Sequence, residues 1–394
     1  MTQTLKEIFS IRNLTQAYNK SREKSCSSSN VCKKIVSELH FKIVNNLYKA
    51  NKLSFFTLTK SNGKERVICK CSVHDSLVQR ALLDYFNKKL HQLGLNNDHV
   101  YGIKGKSVKS AIDQSVKKRN KKPWVLKTDI TAFFDNIDRK ILEEMLIKKK
   151  QITKHLLPIL TQIINTEVET KFKAEKDRLK INGIEKGKGL RQGMPLSPLL
   201  ASFFLSSFDK KIAKKELDII RYADDIIFFG STEEECKKYE KFITKNLKTI
   251  GLNIAQSDKG SKTQIYSPEE PVLFLGIEIY KCKNNPRYQH KIPKKKFNEA
   301  IDELNNYSTF DKSKRQLINK KIKKFTLKLI LEKLKSIVDG YSAAYKGTSN
   351  YQAFSNKLNK NLQEVQNNLL VSVLGKDVLN NLDQEKKQFL GFDL

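Results

Sequence analysis

Residues 219–229 set one polar break between two apolar runs: Ile219-Ile220, then Arg221-Tyr222-Ala223-Asp224-Asp225, then Ile226-Ile227-Phe228-Phe229. β-Branched and aromatic runs around a short polar break predict a hairpin that turns at the aspartates. Two adjacent carboxylates amid so much apolar surface repel each other and cost desolvation energy unless a cation neutralises them. A hard divalent ion such as Mg2+ does this with oxygen ligands, usually one or two carboxylates plus substrate phosphates. The competing reading is an ordinary solvated turn, since Asp is common in hairpin turns. Partners for the carboxylates elsewhere in the chain decide between the two.

Charge narrows what those partners serve. The 394 residues carry 75 Lys plus Arg against 42 Asp plus Glu, a net charge of +33. Such an excess suits a polyanion, and nucleic acid is the first candidate. An anionic membrane surface is the rival, but no apolar run reaches the length of about 18 residues that a span needs. The opening Met1-Thr2-Gln3-Thr4-Leu5-Lys6-Glu7 has no signal-peptide pattern, so a cytoplasmic location is expected. Cys26, Cys32, Cys69, Cys71, Cys236 and Cys282 form no C-x-x-C pair. This predicts free thiols in a reducing compartment rather than a zinc module. With 39% hydrophobic residues the chain can bury a core, in two or three packed subdomains.

Residues 1–50 read as basic helices with a Ser-rich break at 25–29. Leu53–Thr59 and Glu65–Ile68 flank Asn62-Gly63, the strongest short hairpin signal. Lys60, Lys64 and Arg66 lie at its tip, placed either to grip a triphosphate or merely to solvate a turn. An amphipathic helix opens near Asp75, and a glycine-punctuated basic loop covers Tyr101–Ser107. Val125–Ile130 predicts a buried strand with Asp129 at its end, and Asp138 an N-cap for a helix burying Ile141, Leu142, Met145 and Leu146. A carboxylate at a strand end, near a second strand bearing two more, is how a two-metal phosphoryl-transfer site is built. Phe133 and Phe134 read equally well as core.

Gly187–Gly193 predicts a flexible loop that carries Gln192 between glycines, able to approach a base or sugar closely. Ser197 then reads as N-cap and Pro198 as the first helical residue of a buried helix running through Phe208. Glu233–Ile250 predicts an amphipathic helix capped at Gly251, and Val272–Tyr280 a strand, turn and strand. Lys291–Lys346 holds fifteen basic and six acidic residues, a local balance of +9. Within it Ile322, Phe325, Leu329, Leu334 and Ile337 share a helical face, which leaves Lys321, Lys324, Lys328 and Lys335 for a nucleic-acid backbone. The Asn-, Leu- and Gln-rich segment after Gly347 is helical in pattern and carries no motif.

Together these stretches, over roughly residues 50–345, resemble a reverse transcriptase. The order of parts matches: the basic hairpin Asn62-Gly63-Lys64-Glu65-Arg66, then Asp129-Ile130-Thr131-Ala132-Phe133-Phe134, then Gln192–Leu200 with its Gln-Gly and Ser-Pro pairs. Tyr222-Ala223-Asp224-Asp225 follows, and then Lys262-Thr263 and Phe274-Leu275-Gly276. The resemblance implies an α+β right hand: N-terminal helical extension 1–50, fingers 51–125 and 150–190, palm 126–149 and 191–285, helical thumb 286–346, and tail 347–394. Its palm is an antiparallel sheet backed by helices.

The resemblance also implies an enzyme, an RNA-directed DNA polymerase that takes deoxynucleoside triphosphates and two Mg2+ ions, with Mn2+ as substitute. Asp129 and Asp224 become bridging ligands and Asp225 the second carboxylate of the hairpin. Phe134 becomes the sugar gate that excludes a ribose 2′-hydroxyl. Lys64 and Arg66 hold triphosphate oxygens, Gln192 packs near the incoming base, and Lys262 protonates pyrophosphate. Asp135-Asn136-Ile137, Ser197–Ala201 and Val338–Tyr345 resemble bacterial stand-alone enzymes, including defence-associated, retron-like and group II intron-like types. That implies a noncoding RNA template, nascent DNA, and a protein partner or homo-oligomer. Retroelement enzymes and an RNA-binding subunit without polymerase activity are the alternatives.

Overall fold

The computed structural model describes residues 3–21, 29–59, 63, 65–255, 261–282, 286–319 and 326–390. Lys60, Lys64, Lys321 and Lys324, the helical-face residues Ile322 and Phe325, and most of the Ser-rich break lie outside the described residues. Two compact units emerge. The first is Met1–Ala111 with Lys122–Ile265, and the second is Ile112–Lys121 with Tyr266–Leu394. The first unit ends at Ile265, and the strands beyond Tyr266 belong to the second.

The first unit contains the hairpin β1 (Ser54–Thr59) and β2 (Glu65–Lys70), paired from Ser54–Lys70 to Thr59–Glu65. It also contains most of a five-stranded sheet made of β3 (Val100–Tyr101), β4 (Trp124–Asp129), β5 (Ile219–Tyr222), β6 (Asp225–Gly230) and β7 (Gln264–Tyr266). Their order is β3-β5-β6-β4-β7. β5 and β6 are antiparallel, as are β4 and β6, while β3 runs parallel to β5.

Register assigns the faces. Side chains alternate along a strand, so pairing Leu126 with Phe228 and Thr128 with Ile226 sends one set inward. Leu126, Ile226 and Phe228 join a core with Leu142, Leu146, Phe203, Phe204 and Phe208. Asp129 then stands directly opposite Asp225 on the other face, with Lys127 beside it. Helices Val73–Phe86, Arg139–Ile147 and Glu233–Lys248 contribute to the same core. Asp138 caps its helix as expected, through the N–H groups of Lys140 and Ile141. Ser197 does not cap: it is the first helical residue of Ser197–Phe204, Leu196 precedes it without a side-chain cap, and Pro198 follows. Nor does that helix reach Phe208. It ends at Phe204 with Leu205 as its C-cap, and a second helix, Ser206–Lys214, carries Phe208 and Asp209.

In the second unit β8 (Val272–Phe274), β9 (Ile277–Lys281) and β10 (Tyr288–Lys291) form an antiparallel sheet in the order β10-β9-β8. Arg119 is buried among them. Its guanidinium donates to the carbonyls of Ile279 (2.9 Å), Ser267 (3.1 Å) and Glu270 (2.6 Å) and lies over the Tyr288 ring. Helices Lys294–Asn305, Leu327–Tyr345 and Tyr351–Leu374 share a core of Leu304, Ile330, Leu334, Ile337, Phe354, Leu358 and Leu369. Helical order past Gly347 therefore has a packing cause. Leu334 and Ile337 are buried as the sequence face predicts, Leu329 partly so, and Lys328 and Lys335 are exposed. Among the described residues no helix is long and apolar enough to cross a membrane.

One buried ion pair underlies the carboxylate hairpin. Arg221 and Asp209 are both fully buried. Nε donates to Asp209 Oδ1 at 2.8 Å and Nη2 to Oδ2 at 2.5 Å, while Nη1 reaches the Ala223 carbonyl at 2.9 Å. Burial alone would raise the Asp209 pKa, but Arg221 and His99 together hold it below the usual carboxylate range. Replacing Asp209 by Ala strands the guanidinium in the core and should cost about 3–5 kcal/mol. Urea unfolding reads the loss, and Asp209→Leu combined with Arg221→Met should recover most of it. A single substitution costing under about 1 kcal/mol would show that the pair is dispensable.

Candidate active site

Asp129 and Asp225 come from the adjacent strand ends of β4 and β6, and Asp224 from the turn that leads into β6. The β5–β6 turn has only two residues, Ala223 and Asp224, between the paired Tyr222 and Asp225. Such a tight turn forces left-handed backbone, and Ala223 has φ +54°. Ala132, just past Asp129, is likewise left-handed at φ +45°. Each non-glycine residue there costs on the order of 1–2 kcal/mol. Alanine has the smallest side chain that bears a Cβ. The Ile130 N–H donates to the Asp224 carbonyl at 3.1 Å, which ties the two strained segments together.

Like charges placed directly across a strand pair repel. Asp129 is buried to 8% exposure, and its Oδ1 has no hydrogen-bond partner. Burial raises the Asp224 pKa, and the Asp129 charge adds to the rise. Burial and then Asp224 push Asp225 up to about 6. Desolvation lowers Lys127, which faces the same carboxylates. The other Asp129 oxygen, Oδ2, accepts from the Lys262 ammonium. Lys262 is placed by its buried neighbour Thr263, whose hydroxyl bonds the Thr128 hydroxyl and the Ala255 carbonyl, each at 2.7 Å.

Arg66, Asp129, Phe134, Gln192, Asp224 and Lys262 line one cavity of about 350 Å³. Of the residues expected from sequence, these six converge. Asp225 stands beside them through its register with Asp129 but does not line the cavity. Phe133 touches the cavity yet is 3% exposed, whereas Phe134 is half-buried with its ring edge-on to Phe133. The two phenylalanines thus differ in exposure although both line the cavity. Lys328 and Lys335 lie in the second unit.

Several lining residues escaped the sequence reading. Glu65, Asp135, Asn182 and Ile184 all face the cavity. Only Asn182-Gly183 carried a signal, as a turn pair at a helix end. Behind the cavity, Glu167 accepts from Arg139 (2.6 Å), Arg191 (2.6 Å) and the Gly187 N–H (2.8 Å). Burial pushes Glu167 up, but the bonds from Arg191, Gly187 and Arg139 outweigh it and hold the carboxyl below its ordinary range. The loop's last turn meets the basic hairpin: the Cys69 N–H donates to the Gln192 carbonyl at 2.7 Å. A Cβ on Gly193 (φ +100°) would fall 2.4 Å from the Cys69 carbonyl oxygen, so only glycine fits.

The sequence pattern of the family described as reverse transcriptase (RNA-dependent DNA polymerase) matches residues 58–279, more than half the chain and every strand of this site. The chain belongs to the reverse transcriptase family. Its mixed α+β fold is the reverse transcriptase fold, and reverse transcriptases generally work with divalent metal ions.

Among solved structures, a chain of a partial Cas6-RT-Cas1–Cas2 complex is 22% identical, with a TM-score of 0.37 over 63% of this chain and 42% of that one. A Cas6-RT-Cas1–Cas2 complex gives the same identity and TM-score and the same coverage of this chain, over 26% of its own. Apo telomerase from Candida tropicalis is 14% identical, with a TM-score of 0.45 over 92% of this chain and 74% of that one. The chain thus spans less than half the length of the Cas-linked chains it matches. No curated protein sequence matches it.

Among the described residues no three His, Cys, Asp or Glu side chains form a preassembled metal cluster. The donor chemistry still fits Mg2+, which takes one or two carboxylates and completes its shell with substrate phosphates and water. Asp129 offers an unpartnered buried oxygen, and Asp224 and Asp225 are held in an environment that disfavours uncompensated charge. The Lys262 ammonium occupies the position of a compensating cation on Asp129. Lys262→Met should therefore tighten Mn2+ binding several-fold in the absence of nucleotide, measured by calorimetry. Unchanged affinity would mean the ammonium leaves without competing.

Proposed function

We propose that this chain is an RNA-directed DNA polymerase that extends a DNA strand from deoxynucleoside triphosphates, with Asp129, Asp224 and Asp225 holding two Mg2+ ions. The observation that carries this reading is the single cavity where Asp129, Asp224, Arg66, Phe134, Gln192 and Lys262 meet. Bound there, the ions would activate the primer 3′-hydroxyl and neutralise charge on the leaving pyrophosphate. Arg66 faces the triphosphate as a permanent cation, and Lys262, freed from Asp129 on loading, can give a proton to pyrophosphate. Phe134 fills the space of a ribose 2′-hydroxyl, and Gln192 lies against the incoming nucleotide. Lys328 and Lys335, with Lys321 and Lys324, hold the template duplex by its phosphates.

The setting we propose is bacterial anti-phage defence, with a noncoding RNA as template and a cytoplasmic location. Its support is the bacterial-type pattern at Asp135-Asn136-Ile137, Ser197–Ala201 and Val338–Tyr345. A protein partner or a second copy of the chain belongs to this proposal too.

Asp129→Asn and Asp224→Asn should each lower deoxynucleotide incorporation on a primed RNA template by at least about a hundredfold, without loss of fold. A folded double variant with wild-type incorporation would remove the aspartates from the chemistry. Phe134→Ala should admit ribonucleotides, because ring volume is what excludes the 2′-hydroxyl. Comparing kcat/KM for matched ribo- and deoxynucleotides tests this, and an unchanged ratio assigns Phe134 to the core.

A further inference from the structure

The backbone that carries Phe134 is fixed from outside its own segment. Phe134 belongs to a four-residue helix, Phe133–Asn136, that starts from the left-handed Ala132 and has no side-chain cap. One turn of helix does not hold itself in place. The loop after Gly187 supplies the restraint. The Leu190 N–H donates to the Phe134 carbonyl at 2.7 Å, and the Gly189 N–H to the Ile137 carbonyl at 2.9 Å. Gly189 presses directly on the turn. A Cβ there would fall 2.7 Å from the Asp135 carbonyl oxygen and 2.8 Å from both the Asp135 Cα and the Phe134 carbonyl oxygen. All three atoms are backbone, so nothing flexible can yield. The loop itself is held by Glu167 through Arg139, Arg191 and the Gly187 N–H, and Arg139 Nε also donates to the Gly189 carbonyl at 2.8 Å.

We infer that Gly189 is a positioning residue for sugar selection: the missing side chain at 189, braced by Glu167, sets where the Phe134 ring stands. The inference rests on the reading of Phe134 as the gate. Discrimination between ribose and deoxyribose is thereby controlled from a loop that never touches the nucleotide through this residue. Adding one methyl group at 189 displaces the turn and moves the ring off its stop.

The test compares kcat/KM for deoxy- and ribonucleotides on one primed RNA template. Gly189→Ala should lower the ratio about tenfold, the scale expected when a positioning contact slips by a fraction of an ångström. Gly251→Ala is the control, because Gly251 has nearly the same φ (+73° against +74°) but open space around its Cβ. It should leave the ratio unchanged. The decisive arm is the double variant: once Phe134→Ala has removed the ring, Gly189→Ala should lower the ratio no further. If Gly189→Ala does not fold, Glu167→Gln loosens the same loop and takes its place in both arms. A ratio that rises, stays within about twofold of wild type, or falls equally with and without the Phe134 ring overturns the inference. If Phe134→Ala alone leaves the ratio unchanged, the gate reading fails first.

Discussion

The Arg221–Asp209 pair is the constraint that the site leans on. The β5–β6 turn concentrates three unfavourable features: a left-handed alanine, two consecutive aspartates and a third carboxylate across the strands. None of these is stable alone, and each persists only where surrounding structure over-determines it. The guanidinium of Arg221 does this from beneath. It holds the Ala223 carbonyl while its charge is matched by a carboxylate on the helix Ser206–Lys214. Buried pairs of this kind rarely add net stability compared with apolar substitutes. What this one supplies is a fixed turn, and with it the placement of Asp224 and Asp225.

A second hub, Glu167, organises the opposite wall by similar means. One carboxylate gathers two buried arginines and a backbone N–H, and the loop so formed makes backbone hydrogen bonds to the Phe134 turn and the basic hairpin. Glycines at 189 and 193 permit those contacts, since each leaves room for a neighbouring carbonyl where any side chain would collide. The cavity is thus shaped by segments that share no secondary-structure element.

The chemistry-bearing residues were legible because their signals are local. Asp129 ends an apolar run, Asp224 and Asp225 interrupt another, and Arg66 flanks an Asn-Gly turn, all within a few residues of sequence. The supports were not. Glu167, Arg139 and Asp209 look like ordinary surface charges in their own segments, and only tertiary pairing makes them structural. The same limit explains the misplaced cap. Ser-Pro predicts a cap at Ser197, but chain entering from the glycine loop has already turned helical there, so Leu196 takes that position. It also explains why helix was expected through Phe208: an unbroken apolar pattern does not report the break at Leu205.

Thr263 joins the site to a late part of the chain. Its hydroxyl closes onto Thr128, and through that bond Lys262 reaches Asp129. During synthesis, β4 and the β5–β6 hairpin emerge well before residue 263. For that interval the growing polypeptide holds opposed carboxylates without the Lys262 ammonium. Long-range closure of this kind is slow. Until then the nascent first unit has only Lys127 and Arg66, which come earlier in the chain, to offset these carboxylates, and the segment that leads into the last strand of the sheet completes the balance.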